Sequence, residues 1–187
     1  MPAPKLNPFR RQLAVIAAPA PLAALEYALP ICLDAVRAVV GEGWEFRTGS
    51  VSPFDELMAT EAVLAGGTVF IAAEDALPEV HWARLLKIVY GDAVRLFSYA
   101  ATVMSRWDRI VRGHYPRQLP APLAALAIPG VVLHGAAAAI VLPPLGQKDP
   151  VIEHALWLCQ RNRIPTFNVA TISGLQGLHD SLLGEAA

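Results

Sequence analysis

Charged residues are scarce in this chain: Asp, Glu, Lys and Arg make up 17% of its 187 residues, against about 25% in an ordinary globular domain. Cysteine is scarcer still. Cys32 and Cys159 stand alone in predicted helices among Leu, Ile, Trp and Val, which argues against a disulfide framework and points to two buried, reduced thiols. Long hydrophobic runs are missing as well, although 55% of the residues are hydrophobic. Proline or charge breaks each apolar window before the roughly 18–20 residues that a membrane span requires. Near the start, the run Leu13–Ala18 ends at Pro19, too short a core for a signal peptide, so the expected setting is cytoplasmic, with no membrane partner.

Familiar catalytic and metal patterns are also lacking. The chain holds no Gly-x-Ser-x-Gly, no Walker A, no His-Glu-x-x-His and no paired cysteines. His114, His134 and His154 come from separate segments, and none belongs to a His-x-x-x-His or Cys-containing pair, so neither a metal site nor a resident cofactor is expected. Arg106, Arg109 and Arg112 share one helix face, but no aromatic residues interleave with them to stack bases. They read as a solvated face rather than a nucleic-acid contact.

What the chain does hold is an alternation of short apolar runs with amphipathic stretches. Residues 1–11, with Pro2, Pro4 and Pro8, form a flexible arm, and residues 12–187 are long enough for one well-buried domain. Strands are expected at Gln12–Ala18, Trp44–Arg47, Thr68–Ala73, Ala93–Ser98, Ala137–Leu142 and Pro165–Val169. Between them fall helices at Leu22–Val40 (kinked or broken at Pro30), from Ser52, over Glu79–Tyr90 and Ala100–Arg112, and from Asp149 to about Arg161. Tyr115–Gly130 is proline-rich and reads as a long connection with one helical turn, and Ser173 is a candidate cap for a short last helix. The alternation predicts an α/β fold: an open, mainly parallel sheet with helices on both faces. The net charge of −1 is unevenly spread, acidic from Glu26 to Glu79 and basic from Arg84 to Arg117. Such asymmetry suits either a homo-oligomer that pairs the two halves or the solvated faces of separate helices.

The chain is organised around Thr48–Gly67, TGSVSPFDELMATEAVLAGG. A strand runs into a small-residue turn, then into a helix opened by Ser52, Pro53 and Asp55, and finally into a double glycine before the next strand. Ser52 at the N-cap, Pro53 at the first helical position and Asp55 three residues after the cap form a capping box with Asp in place of Glu. The same layout sets a helix N-terminus beside a strand's carboxyl end, where free N–H groups and the helix dipole receive anions.

This stretch resembles the SGGxxGxDxxAxxxAlxxGG signature of the SLOG superfamily, Rossmann-like proteins that include DNA-processing protein A and the "lonely guy" phosphoribohydrolases. Thr48, Gly49 and Ser50 stand at its Ser-Gly-Gly turn, Asp55 at its Asp, and Gly66–Gly67 at its closing pair. A second, less specific likeness spans Ala136–Val169, where Gly146, Gln147 and Lys148 stand near the family's phosphate loop. The resemblance implies a Rossmann-like fold that binds or senses a nucleotide-derived small molecule, with Thr48, Gly49, Ser50, Asp55, Gly146, Gln147 and Lys148 at the ligand. Asp55 and the turn are equally explained by local capping.

The chain departs from the family at three points. The first loop is Ala17-Ala18-Pro19-Ala20 without glycine, Pro53-Phe54-Asp55 lacks the glycine of the GxD step, and Leu145–Asp149 keeps one glycine and brings in an acid. Each lost charge-assisted bond forfeits roughly 1.5–3 kcal/mol, or about ten- to a hundredfold in affinity. Binding without strong catalysis is therefore the leading expectation. The alternatives are a phosphoribohydrolase using Glu153 with one of Arg106–Arg112, and an interaction protein whose cleft is plugged by a side chain such as Phe54 or Gln147.

Overall fold

The computed structural model describes residues 11–19, 25–73, 77–98, 123–144, 146 and 148–184. Six strands form one parallel sheet: β1 (Gln12–Ala17), β2 (Glu45–Thr48), β3 (Val69–Ala73), β4 (Val94–Ser98), β5 (Ala138–Leu142) and β6 (Thr166–Asn168). Their spatial order is β4-β3-β2-β1-β5-β6. The chain builds outward from β1 to β4, then returns to lay β5 on the other side of β1. Val15 is thus flanked by Thr48 of β2 and Ile140 of β5. This is the open α/β sheet that the alternating pattern predicts, and it is Rossmann-like.

Period-two alternation divides the core into two layers. Leu13, Val15 and Ala17 of β1 face one side, with Phe46, Val69, Ile71, Ile140 and Phe167 from other strands. Helices α1 (Leu29–Gly41), α2 (Pro53–Leu64) and α3 (Trp82–Tyr90), with the last helix, α6 (Ile172–Leu182), contribute buried residues to that layer. Ala14 and Ile16 face the other side, with Ala139 and Val141, and are covered by α4 (Leu123–Val132) and α5 (Pro150–Asn162). Small residues on this second face, such as Ala14, Ala139 and Ala155, let the helices lie close to the sheet.

Local chemistry sets most boundaries. The helix expected from Leu22 begins only at Leu29: Pro30 has no N–H to give an interior turn, so it occupies the first turn of α1. Residues 25–28 precede it as a turn, and residues 22–24 lie outside the described segments. The helix expected from Glu79 starts at Trp82, because His81 caps it through its ring nitrogen. Thr171, not Ser173, caps α6, accepting from the Gly174 N–H at 3.1 Å. The larger correction is α4. Residues read as a proline-rich connection form a ten-residue helix with Pro129 inside it, and its buried Ile128 and Val132 pack into the second core layer. Burial of that apolar stripe outweighs the hydrogen bond that Pro129 cannot donate. The helix expected at Ala100–Arg112 lies outside the described residues.

Candidate functional site

At the carboxyl ends of the strands, the connections leaving β1 and β5 diverge to opposite sides of the sheet, and a crevice opens there. A cavity of about 420 Å³ occupies it, within the range of small-molecule sites. Ala17, Ala18 and Pro19 line it from the end of β1, Ser50 and Val51 from the turn after β2, and Leu77, Pro78 and His81 from the segment between β3 and α3. Ile128 of α4 and Asp149, Val151 and Ile152 at the start of α5 complete the lining. Its polar side chains are Ser50, His81 and Asp149. Among the described residues no Lys or Arg lines it.

The helix starts around this crevice are closed by the chain's own side chains. At α2 the Ser52 hydroxyl accepts from the Phe54 and Asp55 N–H groups at 3.1 and 3.2 Å. Asp55 Oδ2 accepts from the Ser52 N–H at 3.1 Å, completing the capping box. At α3, His81 Nδ1 accepts from the Ala83 N–H at 3.2 Å, which leaves the proton of a neutral ring on Nε2. At α5, Asp149 Oδ1 accepts from both the Val151 and Ile152 N–H groups, at 2.8 and 3.2 Å. Even the first loop is occupied: the Ala18 N–H donates to the Leu142 carbonyl at 2.9 Å. Helix α1 has no side-chain cap, but Pro30 stands in its first turn and it does not line the cavity.

Asp55 therefore faces inward. It is 1% exposed, and the Thr48 hydroxyl donates to its Oδ1 at 2.7 Å, tying the end of β2 to the first turn of α2. Burial pushes its carboxyl up to about 7, while the Thr48 hydroxyl and the Ser52 and Val51 N–H groups pull the other way. Thr48 is wholly buried, and Gly49 sits against Asp55 and Ile128. A Cβ added at Gly49 would meet Asp55 Oδ2 at 3.4 Å and Ile128 Cγ2 at 3.5 Å, ordinary contacts that leave room for a methyl group.

Of the described residues at which the resemblance places a ligand, Ser50 alone lines the cavity; Thr48, Gly49 and Asp55 stand behind it as its support. Gly146 is exposed with φ +76, in the connection between β5 and α5. Lys148 is an exposed side chain whose Nζ lies 3.7 Å from Glu153 Oε1. Gln147 lies outside the described residues. His81, Ile128, Val151 and Ile152 escaped sequence reasoning because apolar residues and a lone His carry no motif. The signal of His81, Val151 and Ile152 is positional: they open a helix beside the switch point, whereas Ile128 sits in the middle of α4.

No protein-family model matches the chain, and no curated protein matches it. Among solved structures, it is similar to the Moco carrier protein from Chlamydomonas reinhardtii, at 18% identity over 89% of this chain and 96% of that one, with a TM-score of 0.37. A second structure, of the molybdenum cofactor carrier protein MCP from the same organism, matches at 17% identity over 92% and 98% of the two chains, with a TM-score of 0.38. At these identities and scores the likeness says nothing about ligand or activity, and the site has to be read from its own chemistry. That chemistry is an apolar cleft with three polar groups, one of them a carboxylate, and with the Phe54, Asp55, Ala83, Val151 and Ile152 N–H groups of the neighbouring helix starts already in use.

Proposed function

We propose that the chain binds a nucleotide-derived small molecule in the switch-point cavity and performs no strong chemistry on it. The observation that carries this reading is the cavity itself: about 420 Å³ of open volume where parallel sheets seat their ligands. The nucleotide-derived part rests on the SLOG-like stretch Thr48–Gly67, which contributes Ser50 and Val51 to the lining. Thr48, Gly49 and Asp55 hold that turn in place, and Gly146, Gln147 and Lys148 belong to the connection that leads to Asp149.

Binding is favoured over catalysis by how the polar groups are used. His81 Nδ1 and Asp149 Oδ1 are committed to capping helices, and Asp55 is committed to Thr48 and Ser52. The phosphoribohydrolase reading needs Glu153 at the ligand, yet Glu153 has a half-exposed side chain, lies against Lys148 and is not part of the lining. The interaction-protein reading needs a plugged cleft. Phe54, one candidate plug, is wholly buried in the first core layer and does not line the cavity; Gln147, the other, lies outside the described residues.

Native mass spectrometry of protein purified from its own host, with thermal-shift measurements on a panel of bases, nucleosides and nucleotides, tests the proposal. A co-purifying ligand of this class or a raised melting temperature supports it. Neither a bound mass nor a shift with any panel member would sink it.

A further inference from the structure

We infer that the switch-point cavity selects an uncharged or cationic ligand and rejects the phosphorylated form of the same molecule, with Asp149 as the selecting residue. This rests on the binding reading above and adds to it the charge class of the ligand.

The argument begins with what an anion needs. A phosphate held at a helix N-terminus is bound by the first free N–H groups and by the positive end of the helix dipole. At α5, the helix start that lines the cavity, the Val151 and Ile152 N–H groups are already taken by Asp149 Oδ1. A carboxylate thus stands where the phosphate oxygens would have to come, and it offsets the dipole that would attract them. An incoming phosphate would have to displace that carboxylate or accept repulsion from it in a mostly apolar cleft, where charges are poorly screened.

The other walls offer an anion little in exchange. The Ser52 hydroxyl and His81 Nδ1 close the N-termini of α2 and α3, and the Ala18 N–H is bonded to Leu142. Among the described residues, no cationic side chain lines the cavity. Lys148, the cation nearest in sequence, has an outward, exposed side chain beside Glu153. Apolar contact from Val51, Ile128, Val151 and Ile152, with hydrogen bonding at Ser50 and His81, suits the body of an uncharged heterocycle.

Calorimetric titration with matched pairs tests this: the common nucleosides against their 5′-monophosphates, on the wild-type chain, Asp149→Asn and Asp149→Gly. Asn keeps an N-cap acceptor without the charge, and Gly frees the N–H groups at little cost to the helix. A thermal melt of each variant establishes that it is folded. The wild type should bind at least one nucleoside about tenfold or more tightly than its monophosphate. That preference should shrink several-fold in Asp149→Asn and vanish or invert in Asp149→Gly. A wild-type monophosphate bound as tightly as its nucleoside, or a preference unchanged in both variants, overturns the inference while leaving the binding reading intact. If no member of any pair binds, the binding reading itself falls, and the charge selection falls with it.

Discussion

At the scale of single residues, Asp55 decides the most. Its carboxyl is wholly buried, yet three donors surround it, so desolvation and hydrogen bonding act in opposite directions on the charged form. Desolvation dominates and raises the group from 3.8 to about 7. A group whose folded value lies above its unfolded value takes up a proton on folding. Its stabilising share is complete below about pH 4 and is lost as pH rises to about 7, with a slope of up to about 1.4 kcal/mol per pH unit in between. Urea unfolding of wild type and Asp55→Asn should therefore give a stability difference that moves against the wild type between pH 5 and pH 8. A difference that is flat with pH would contradict the assignment. Thr48→Val removes the hydroxyl that donates to Asp55 Oδ1 and should cost about 1–3 kcal/mol at neutral pH, measured by the same method. The thiols give a simpler check. Burial pushes Cys32 up to about 12 and also raises Cys159, so a disulfide reagent at pH 8 should label neither until the protein is unfolded.

At the scale of elements, the chain shows how much capping chemistry can be read in advance. Ser52, Pro53 and Asp55 predict the start of α2, and Asp149 and Pro150 predict the start of α5, because Ser52 and Asp149 accept from N–H groups two and three residues ahead, Asp55 accepts back from the Ser52 N–H, and proline suits the first helical position. The apolar run Ala138–Leu142 is wholly buried as expected of a central parallel strand. Helix α4 could not be read this way. Pro129 is a breaker by local rules, and only the sheet surface under Ile128 and Val132 makes a helix worthwhile there. The candidate site divides along the same line. Ser50 belongs to a motif and was legible; Val151 and Ile152 line the cavity only because β5 returns to the side of β1, a long-range fact that no local pattern carries. Docking of the last helix gives a test at this scale. A Cβ at Gly174 would run into the Asn168 backbone carbonyl, whereas one at Gly41 would meet nothing within 4 Å. Gly174→Ala should cost at least about 3 kcal/mol, since backbone atoms cannot step aside as a flexible side chain can. Gly41→Ala, at the exposed end of α1, should be neutral or stabilise by up to about 1 kcal/mol. Equal effects of the two on the denaturation midpoint would contradict this account of packing between β6 and α6.

At the scale of the whole molecule, the strand order creates the site. Building outward to β4 and then returning beside β1 forces the connections apart at the carboxyl edge, and residues of four connections and of helices α4 and α5 meet around the opening. The same architecture in other proteins offers phosphate-binding helix ends; here the side chains of Ser52, His81 and Asp149 cap the ends of α2, α3 and α5. Among the described residues, no helix is long and apolar enough to cross a membrane and no cluster of His, Cys, Asp and Glu is placed to hold a metal ion. The most direct measurement is calorimetric titration of the nucleoside and base panel into the wild-type chain and into Val151→Trp, whose side chain would fill the cleft from its partly exposed position at the start of α5. The account predicts saturable binding to the wild type and at least about a hundredfold loss in Val151→Trp, with both proteins melting at similar temperatures. Undiminished binding in Val151→Trp, or no binding to the wild type, would contradict it.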